Sequence, residues 1–332
     1  MRLTLLTFLV LLSTHLRAND TFVTLGAGGL VSSKTTAISM ESEDLTISSH
    51  LITVKYVFRN DTDRDIDATV AFPLPELDGA EVANEPMEIP AKDPLNFVHF
   101  KVEVDGRPVS PHTEVRAFKN GHDITSRLRS IGLPLSVYDS SCSTAIRKLA
   151  PNVREQLAKE EIIVDEEDSR NNISEHWPWW QTRVQYFWSQ RFPAHSSITI
   201  RHTYRPVVGG GYFYEGVGRA RDKEYCGDPS RVQQQLDRVR KNHPKKKDEI
   251  EFYERQIQYI LTTANTWQGP IKNFHLTVTT DHSYDVLVSC EKDLKQTAAT
   301  RYEALRMNFH PNHELDLLIL QTDEPLADWH QK

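Results

Sequence analysis

Apolar and polar residues alternate with a period of two along most of this chain, and helical spacing is confined to a few short stretches. Val54, Tyr56 and Phe58 alternate with polar neighbours, a polar run follows from Arg59 to Asp65, and a second alternating run, Ile66 to Phe72, ends in Phe72-Pro73-Leu74-Pro75. Two strand patterns around a polar turn, closed by proline, predict a β-hairpin over 51–75. Leu45 and Ile47 mark a short strand before it. Gly26, Gly28 and Gly29 lack the strand-then-helix context and the lysine of a phosphate-cradling loop, and read as a strand bend. After it, the proline-rich segment Glu76 to Pro94 reads as a loop without regular structure. Val98, Phe100, Val102 and Val104 then alternate up to Asp105-Gly106, a two-residue turn from which Arg107 to Phe118 returns. A run of about six such strands suits two facing sheets with one buried face each.

Helical spacing enters at Asp123, a capping residue followed by Ile124, Leu128 and Ile131 and closed by Gly132 and Pro134. Short helices are expected on both sides of Pro151, over 143–150 and 152–160. The acidic run Asp165-Glu166-Glu167-Asp168 with Asn171-Asn172 reads as an exposed linker. Strand patterns resume at Val184, Tyr186 and Trp188 and again from Ser196 to Tyr204. Asp228-Pro229 opens a helix striped by Val232, Leu236 and Val239, and Ile250, Tyr253, Ile257 and Ile260 suggest a second one. Further strands are expected over 273–280, 284–290, 301–309 and 314–321. The fold class is therefore mainly β, an antiparallel β-sandwich architecture of two lobes with α-helical insertions. The predicted organisation is a signal peptide at 1–18, an N-terminal β-sandwich lobe at 19–119, a helical insertion and acidic linker at 120–175, a C-terminal β lobe at 176–322 with a helical insertion at 228–264, and a tail at 323–332.

The first segment bears on location. Met1-Arg2, the apolar run Leu3 to Leu12 and the small residue Ala18 before Asn19-Asp20 have the layout of a cleavable secretory signal. The apolar run falls short of the ~20 residues that span a bilayer. Removing Arg2 and Arg17 with it takes the net charge from −7 to −9. Such a balance disfavours nucleic acid, whose binding rests largely on phosphate neutralisation. The one basic run, Lys241 to Lys247, is followed at once by Asp248 and Glu249 and reads as a solvated turn. Asn60-Asp61-Thr62 and Asn172-Ile173-Ser174 match the glycosylation sequon, which is silent in a bacterium.

Candidate chemistry is sparse. Paired carboxylates at 165–168 could serve a cell-envelope hydrolase, but that work needs one carboxyl in an apolar pocket, and a consecutive polar run supplies none. His176, His195 and His202 lack metal-ligand spacing, and His195 beside Ser196 on a strand points to the opposite face. No catalytic residue, cofactor or metal set is indicated. Four of the six tryptophans crowd between Trp177 and Trp188. Trp177, Trp179 and Trp180 could form an aromatic platform for a carbohydrate or peptide, whereas the bland reading places this cluster in the core. Of the three cysteines, Cys142 sits in the helical insertion while Cys226 and Cys290 both lie in the second half. Export favours one disulfide and one leftover thiol. Cys226–Cys290 would close a loop of about 65 residues and add roughly 4 kcal/mol in the chain-entropy account, and the other two pairings stay open.

Beyond its pattern, the chain resembles a known family. Gly28-Gly29-Leu30 after Asn19-Asp20, Ser42-Glu43-Asp44-Leu45, Tyr56-Val57-Phe58-Arg59-Asn60, Ala71-Phe72-Pro73-Leu74-Pro75 and Val104-Asp105-Gly106 are similar to domain-of-unknown-function family 4424. So are Phe192-Pro193-Ala194, His202-Thr203-Tyr204-Arg205-Pro206, Tyr225-Cys226 and Trp267-Gln268-Gly269-Pro270. The resemblance covers nearly the whole chain beyond the signal. It implies a bacterial exported protein, periplasmic in a Gram-negative source and extracellular otherwise. It supplies no catalytic residues, and it favours Cys226 and Cys290 as family cysteines while leaving Cys142 outside the pattern. A shorter resemblance, over about the first third, links Phe58-Arg59-Asn60, Phe72-Pro73-Leu74-Pro75 and 100–108 to the vault and inter-alpha-trypsin inhibitor type of β-sandwich, an analogy of fold alone. The expected function is a non-catalytic binding or scaffold protein that meets another envelope protein or a glycan through a sheet edge, loops or insertions, and that does not span the membrane once its signal is removed.

Overall fold

The structure, a computed structural model, describes residues 20–26, 29–168, 173–215, 225–243 and 250–322. The signal segment, Gly28, Asn171-Asn172, the lysines of the basic run after 243 and the 323–332 tail lie outside them. Among the described residues there are three main sheets and a two-stranded ribbon, and all but one of the pairings between neighbouring strands are antiparallel. The mainly-β reading therefore holds.

The first sheet runs, in spatial order, through His122–Asp123, His112–Lys119, Gln181–Phe192, Ile66–Pro73, Thr21–Gly26 and Gly29–Ser32. The second runs through Lys295–Ala298, Arg301–Phe309, Ile271–Thr279, Ile38–Ile47, Ile52–Asn60, Ser196–Tyr204, Lys101–Val104 and Arg107–Val109. Their inner faces share one core. Phe72 of the first sheet lies 5.4 Å from Tyr204 of the second, and Tyr186 stacks at 4.4 Å on Phe100, just before Lys101–Val104. Strands from both sides of residues 119 and 176 enter both sheets, so the sheets do not follow the segment boundaries read from the sequence.

The expected hairpin over 51–75 does not form. Ile52–Asn60 pairs with Ile38–Ile47 and Ser196–Tyr204, while Ile66–Pro73 pairs with Gln181–Phe192 and Thr21–Gly26 in the opposite sheet. The polar run between them crosses from one layer to the other. Asn60 anchors the crossing: fully buried, it donates from Nδ2 to the carbonyls of Arg64 and Phe192, each at 2.9 Å. Alternation reports that each strand has one buried face, and strands in facing sheets satisfy it as well as paired neighbours do. The return from Asp105-Gly106 divides in the same way. Its turn is as expected, with both residues at positive φ, but only Arg107–Val109 pairs back, and His112–Lys119 has crossed to the first sheet. Gly26 faces Gly29 across the end of an antiparallel pair, so the chain reverses where a bend was expected.

A third sheet orders Val286–Ser289, Leu315–Thr322, Phe252–Tyr259, Val208–Tyr212 and Met87–Glu88. Both of its faces are covered. Leu317 and Ile319 join the main core, while Leu318 and Leu320 meet Val232, Leu236 and Val239 of the Pro229–Asn242 helix in a second one. Burial on both faces accounts for the unbroken apolar run Leu317-Leu318-Ile319-Leu320. The first helix of the 228–264 insertion forms as expected, with the Asp228 carboxylate accepting from the Ser230 and Arg231 amides. The second does not: 252–259 is a strand and only 262–266 turns as a 3₁₀ helix. Phe252, Glu254, Ile257 and Tyr259 are its buried positions, and the aromatic and β-branched side chains among them suit a sheet buried on both faces.

Two segments expected to be irregular are ordered. Within 76–94, Leu77–Asp78 pairs with the first sheet and Gly79–Asn84 is a short helix capped by Asp78, whose carboxylate accepts from Ala80 N–H at 2.7 Å. The acidic run is half of a ribbon, Ile163–Asp168 against Ile173–Pro178. Cys226 and Cys290 are disulfide-bonded, tying the segment before the Pro229–Asn242 helix to the end of the Val286–Ser289 strand, and Cys142 is free and buried.

Candidate functional site

A half-enclosed cavity of about 170 Å³ opens where the third sheet meets the sandwich. Much of its wall is set by elements already placed. Leu74 and Leu77 follow the proline stop of the first sheet, and Glu81 and Glu85 project from the capped 79–84 helix and its end. Phe97 and Val98 come from the turn before Lys101–Val104. Tyr204 ends the Ser196–Tyr204 strand of the second sheet, Val207 follows shortly after it, and Gly209, Gln256 and Gln258 come from the third. The helix is held close by a glycine: a Cβ on Gly79 would stand 2.3 Å from the Pro178 carbonyl oxygen.

Tyr204 lines this wall with its ring, and its hydroxyl is buried. The residue is 3% exposed, and its hydroxyl has no hydrogen-bond partner among the described residues. Burial alone pushes that hydroxyl far above the usual tyrosine range. Beyond it lies a sealed polar network inside the sandwich. Tyr56 and Tyr259 share a hydroxyl hydrogen bond of 2.9 Å, Tyr259 donates to Glu43 at 3.3 Å, and His202 Nε2 meets Asp20 Oδ1 at 2.9 Å, all fully buried. Burial raises the Asp20 carboxyl against the pull of His202, and burial followed by the Glu43 and Asp20 charges raises Tyr56.

The tryptophans do not make a common platform. Trp180 is fully buried and donates from Nε1 to the Leu135 carbonyl at 2.9 Å, so it cannot stack on a ligand. Trp179 is half-buried, and Trp177 is exposed with its Nε1 donating to Glu175 at 3.1 Å. Trp177 belongs to the Ile173–Pro178 strand, whereas Trp179 and Trp180 lie in the connection to Gln181–Phe192, and the sequence cluster hides that change of direction. A closer aromatic surface arises elsewhere: Tyr212 lies 4.4 Å from Tyr253 and 6.2 Å from Tyr214, and both Tyr212 and Tyr214 are exposed.

Asp165 is not a free acid in a linker. It sits opposite His176 in the ribbon, bonded to Nδ1 at 2.5 Å, and takes Arg154 Nε at 3.3 Å. The three side chains fasten the ribbon to the Pro151–Lys159 helix. The side chains of 166–168 lie outside the described residues. Among the described residues no group of three or more His, Cys, Asp or Glu could hold a metal, and no helix is long and apolar enough to cross a membrane.

No curated protein matches this chain. Among 13 matching chains of solved structures, one is a Legionella pneumophila protein provisionally described as nutrient-binding, 14% identical, with a TM-score of 0.45 over 91% of this chain and 70% of its own. The profile of a domain of unknown function, DUF4424, matches residues 18–318, and the chain belongs to that family.

Proposed function

We propose that this is an exported, non-catalytic binding protein that holds a small ligand in the cavity beside Tyr204. The observation that carries the reading is a half-enclosed space of about 170 Å³ in which the apolar side chains of Leu74, Leu77, Phe97 and Val207 stand beside the polar ones of Gln256 and Gln258. Apolar walls with a few convergent polar groups are the usual makeup of a ligand site. Export is supported by the layout of residues 1–18 and by the Cys226–Cys290 bond, which suits an oxidising compartment. The test is a fragment screen on the exported chain by methyl NMR. Hits should move Leu74, Leu77, Met87 and Val207 and be lost when Val207→Trp fills the space. Hits that leave those methyls still, or that survive the filling, would remove the cavity from consideration.

The exposed Tyr212 and Tyr214 pair favours a second reading, in which sugar rings of an envelope glycan stack on this surface. Retention on immobilised glycan should disappear in Tyr212→Ala/Tyr214→Ala with the fold unchanged. Retention at the parent level would end that reading.

A further inference from the structure

One amide in the cavity wall narrows the ligand class, given the binding reading above. We propose that Gln256 selects the ligand: it offers the cavity an amide oxygen, and the occupant is a compact apolar molecule that carries a hydrogen-bond donor, a hydroxyl or an N–H.

The orientation of this amide follows from its neighbour on the strand. Glu254 and Gln256 stand two residues apart on Phe252–Tyr259, so their side chains leave the same face of the sheet. Gln256 donates from Nε2 to Glu254 Oε2 at 2.8 Å. A carboxylate only accepts, so the nitrogen end of the amide is turned to Glu254 and the oxygen end is left over. Oε1 has no hydrogen-bond partner among the described residues and, unlike the Tyr204 hydroxyl, is not sealed off. Gly209 makes room for it. This glycine pairs with Gln256 across the third sheet and lines the same cavity. A Cβ on Gly209 would stand 3.0 Å from Gln256 Oε1 and 3.4 Å from the Gln256 Cβ, so the missing side chain leaves the amide oxygen space over this part of the wall.

Two neighbouring polar groups carry no such preference. The Tyr204 hydroxyl is buried out of reach, and the Gln258 amide, exposed and without a side-chain hydrogen bond among the described residues, can turn either end to a ligand. At Gln256 the two ends are not equivalent. A ligand that covers Oε1 without donating to it strips the oxygen of water and leaves it unpaired, a cost that a donor avoids. The remainder of the wall describes the body of the ligand. Leu74, Leu77 and Phe97 supply apolar surface, and the volume, about 170 Å³, slightly exceeds the ~150 Å³ apolar cavity that holds benzene. A single ring with one short arm fills such a space.

The alcohol 1-phenylethanol and the ketone acetophenone share one carbon skeleton and differ in the donor, so they separate this inference from the binding reading beneath it. Titrated by calorimetry and methyl NMR into the full exported chain, the alcohol should bind about three- to ten-fold more tightly than the ketone, the range of one neutral hydrogen bond. The side-chain amide resonances of Gln256 should shift as the alcohol is added. Gln256→Met keeps the length of the side chain and removes the amide, and it should erase the ratio by weakening the alcohol alone. Equal affinities in the parent, unmoved Gln256 amide resonances, or a ratio that survives in Gln256→Met would overturn the role of Gln256 and leave the cavity as a binding site. If neither compound moves the Leu74, Leu77 and Val207 methyls, both inferences fall.

Discussion

A hydroxyl that gives up water and gains no partner weighs against folding by about 1–3 kcal/mol. Tyr204 is in that position, so Tyr204→Phe is expected to leave the protein as stable as the parent or about 1 kcal/mol more stable. A melting temperature at or slightly above the parent's is the expected result. A lower melting temperature without ligand would instead give the hydroxyl a structural role. His202 behaves differently. It packs against the rings of Tyr56, Phe72, Phe100 and Trp188 and meets the buried Asp20 carboxyl. His202→Leu removes the imidazole partner of that carboxyl and empties part of an aromatic cluster, and a loss of about 3–5 kcal/mol in denaturant unfolding is expected. The sequence places His202 on an alternating strand, but its partner lies 182 residues away and only the fold joins them.

Among the elements, the short helix 79–84 positions the two glutamates of the cavity, and its own position depends on Gly79. A methyl there would stand 2.3 Å from one backbone oxygen and 3.1 Å from another, that of Trp180, which also accepts the Gly79 N–H at 2.9 Å. Neither backbone atom can yield as a flexible side chain could. Gly79→Ala should therefore cost about 1–3 kcal/mol and displace Glu81 and Glu85 from the cavity wall, seen as a drop in chemical unfolding midpoint together with a loss of ligand affinity. A variant indistinguishable from the parent in both would show that the helix does not depend on this approach. Nothing in the sequence signals this contact, because Pro178 and Trp180 arrive from an element a hundred residues away. The Asp78 cap, by contrast, is local, and its absence from the sequence reading reflects the weight given to the prolines around it.

For the molecule as a whole, covalent and ionic ties supplement the two cores. The native chain should show no thiol reactive towards iodoacetamide, one after unfolding without reductant and three after reduction. The reason is that Cys226 and Cys290 are paired, while Cys142 is buried and its thiol is pushed up to about 12 by burial and then by the charge of Asp139. A native chain that alkylates at two positions would contradict the disulfide. Acid should destabilise the fold. Hydrogen bonds from Arg306 hold the Asp293 carboxyl below its ordinary value of 3.8, so its contribution is present above that value and is lost as the pH falls through the lower folded one. Asp20 runs the other way, since burial raises it and its ionisation weighs against the fold as the pH climbs past 3.8. Arg306 also holds Glu291 and lies over Phe309 at 4.7 Å. The stability gap between the parent and Arg306→Ala should therefore be widest near neutrality and narrow below about pH 4. A gap independent of pH would assign Arg306 a packing role alone.

Period-two alternation, turn chemistry at Asp105-Gly106 and the capped start at Asp228 were legible from the chain alone, because each depends on neighbours within a few residues. These local signals determined the β class, most strand positions and the first helix of the later insertion. Which strands pair was decided only by tertiary structure, since Ile52–Asn60 and Ile66–Pro73 bury their alternate faces equally well in one sheet or in two that face each other. The same holds for the cavity. Its walls come from segments between Leu74 and Gln258, and a site assembled across such separations has no spacing to read until the sheets have packed.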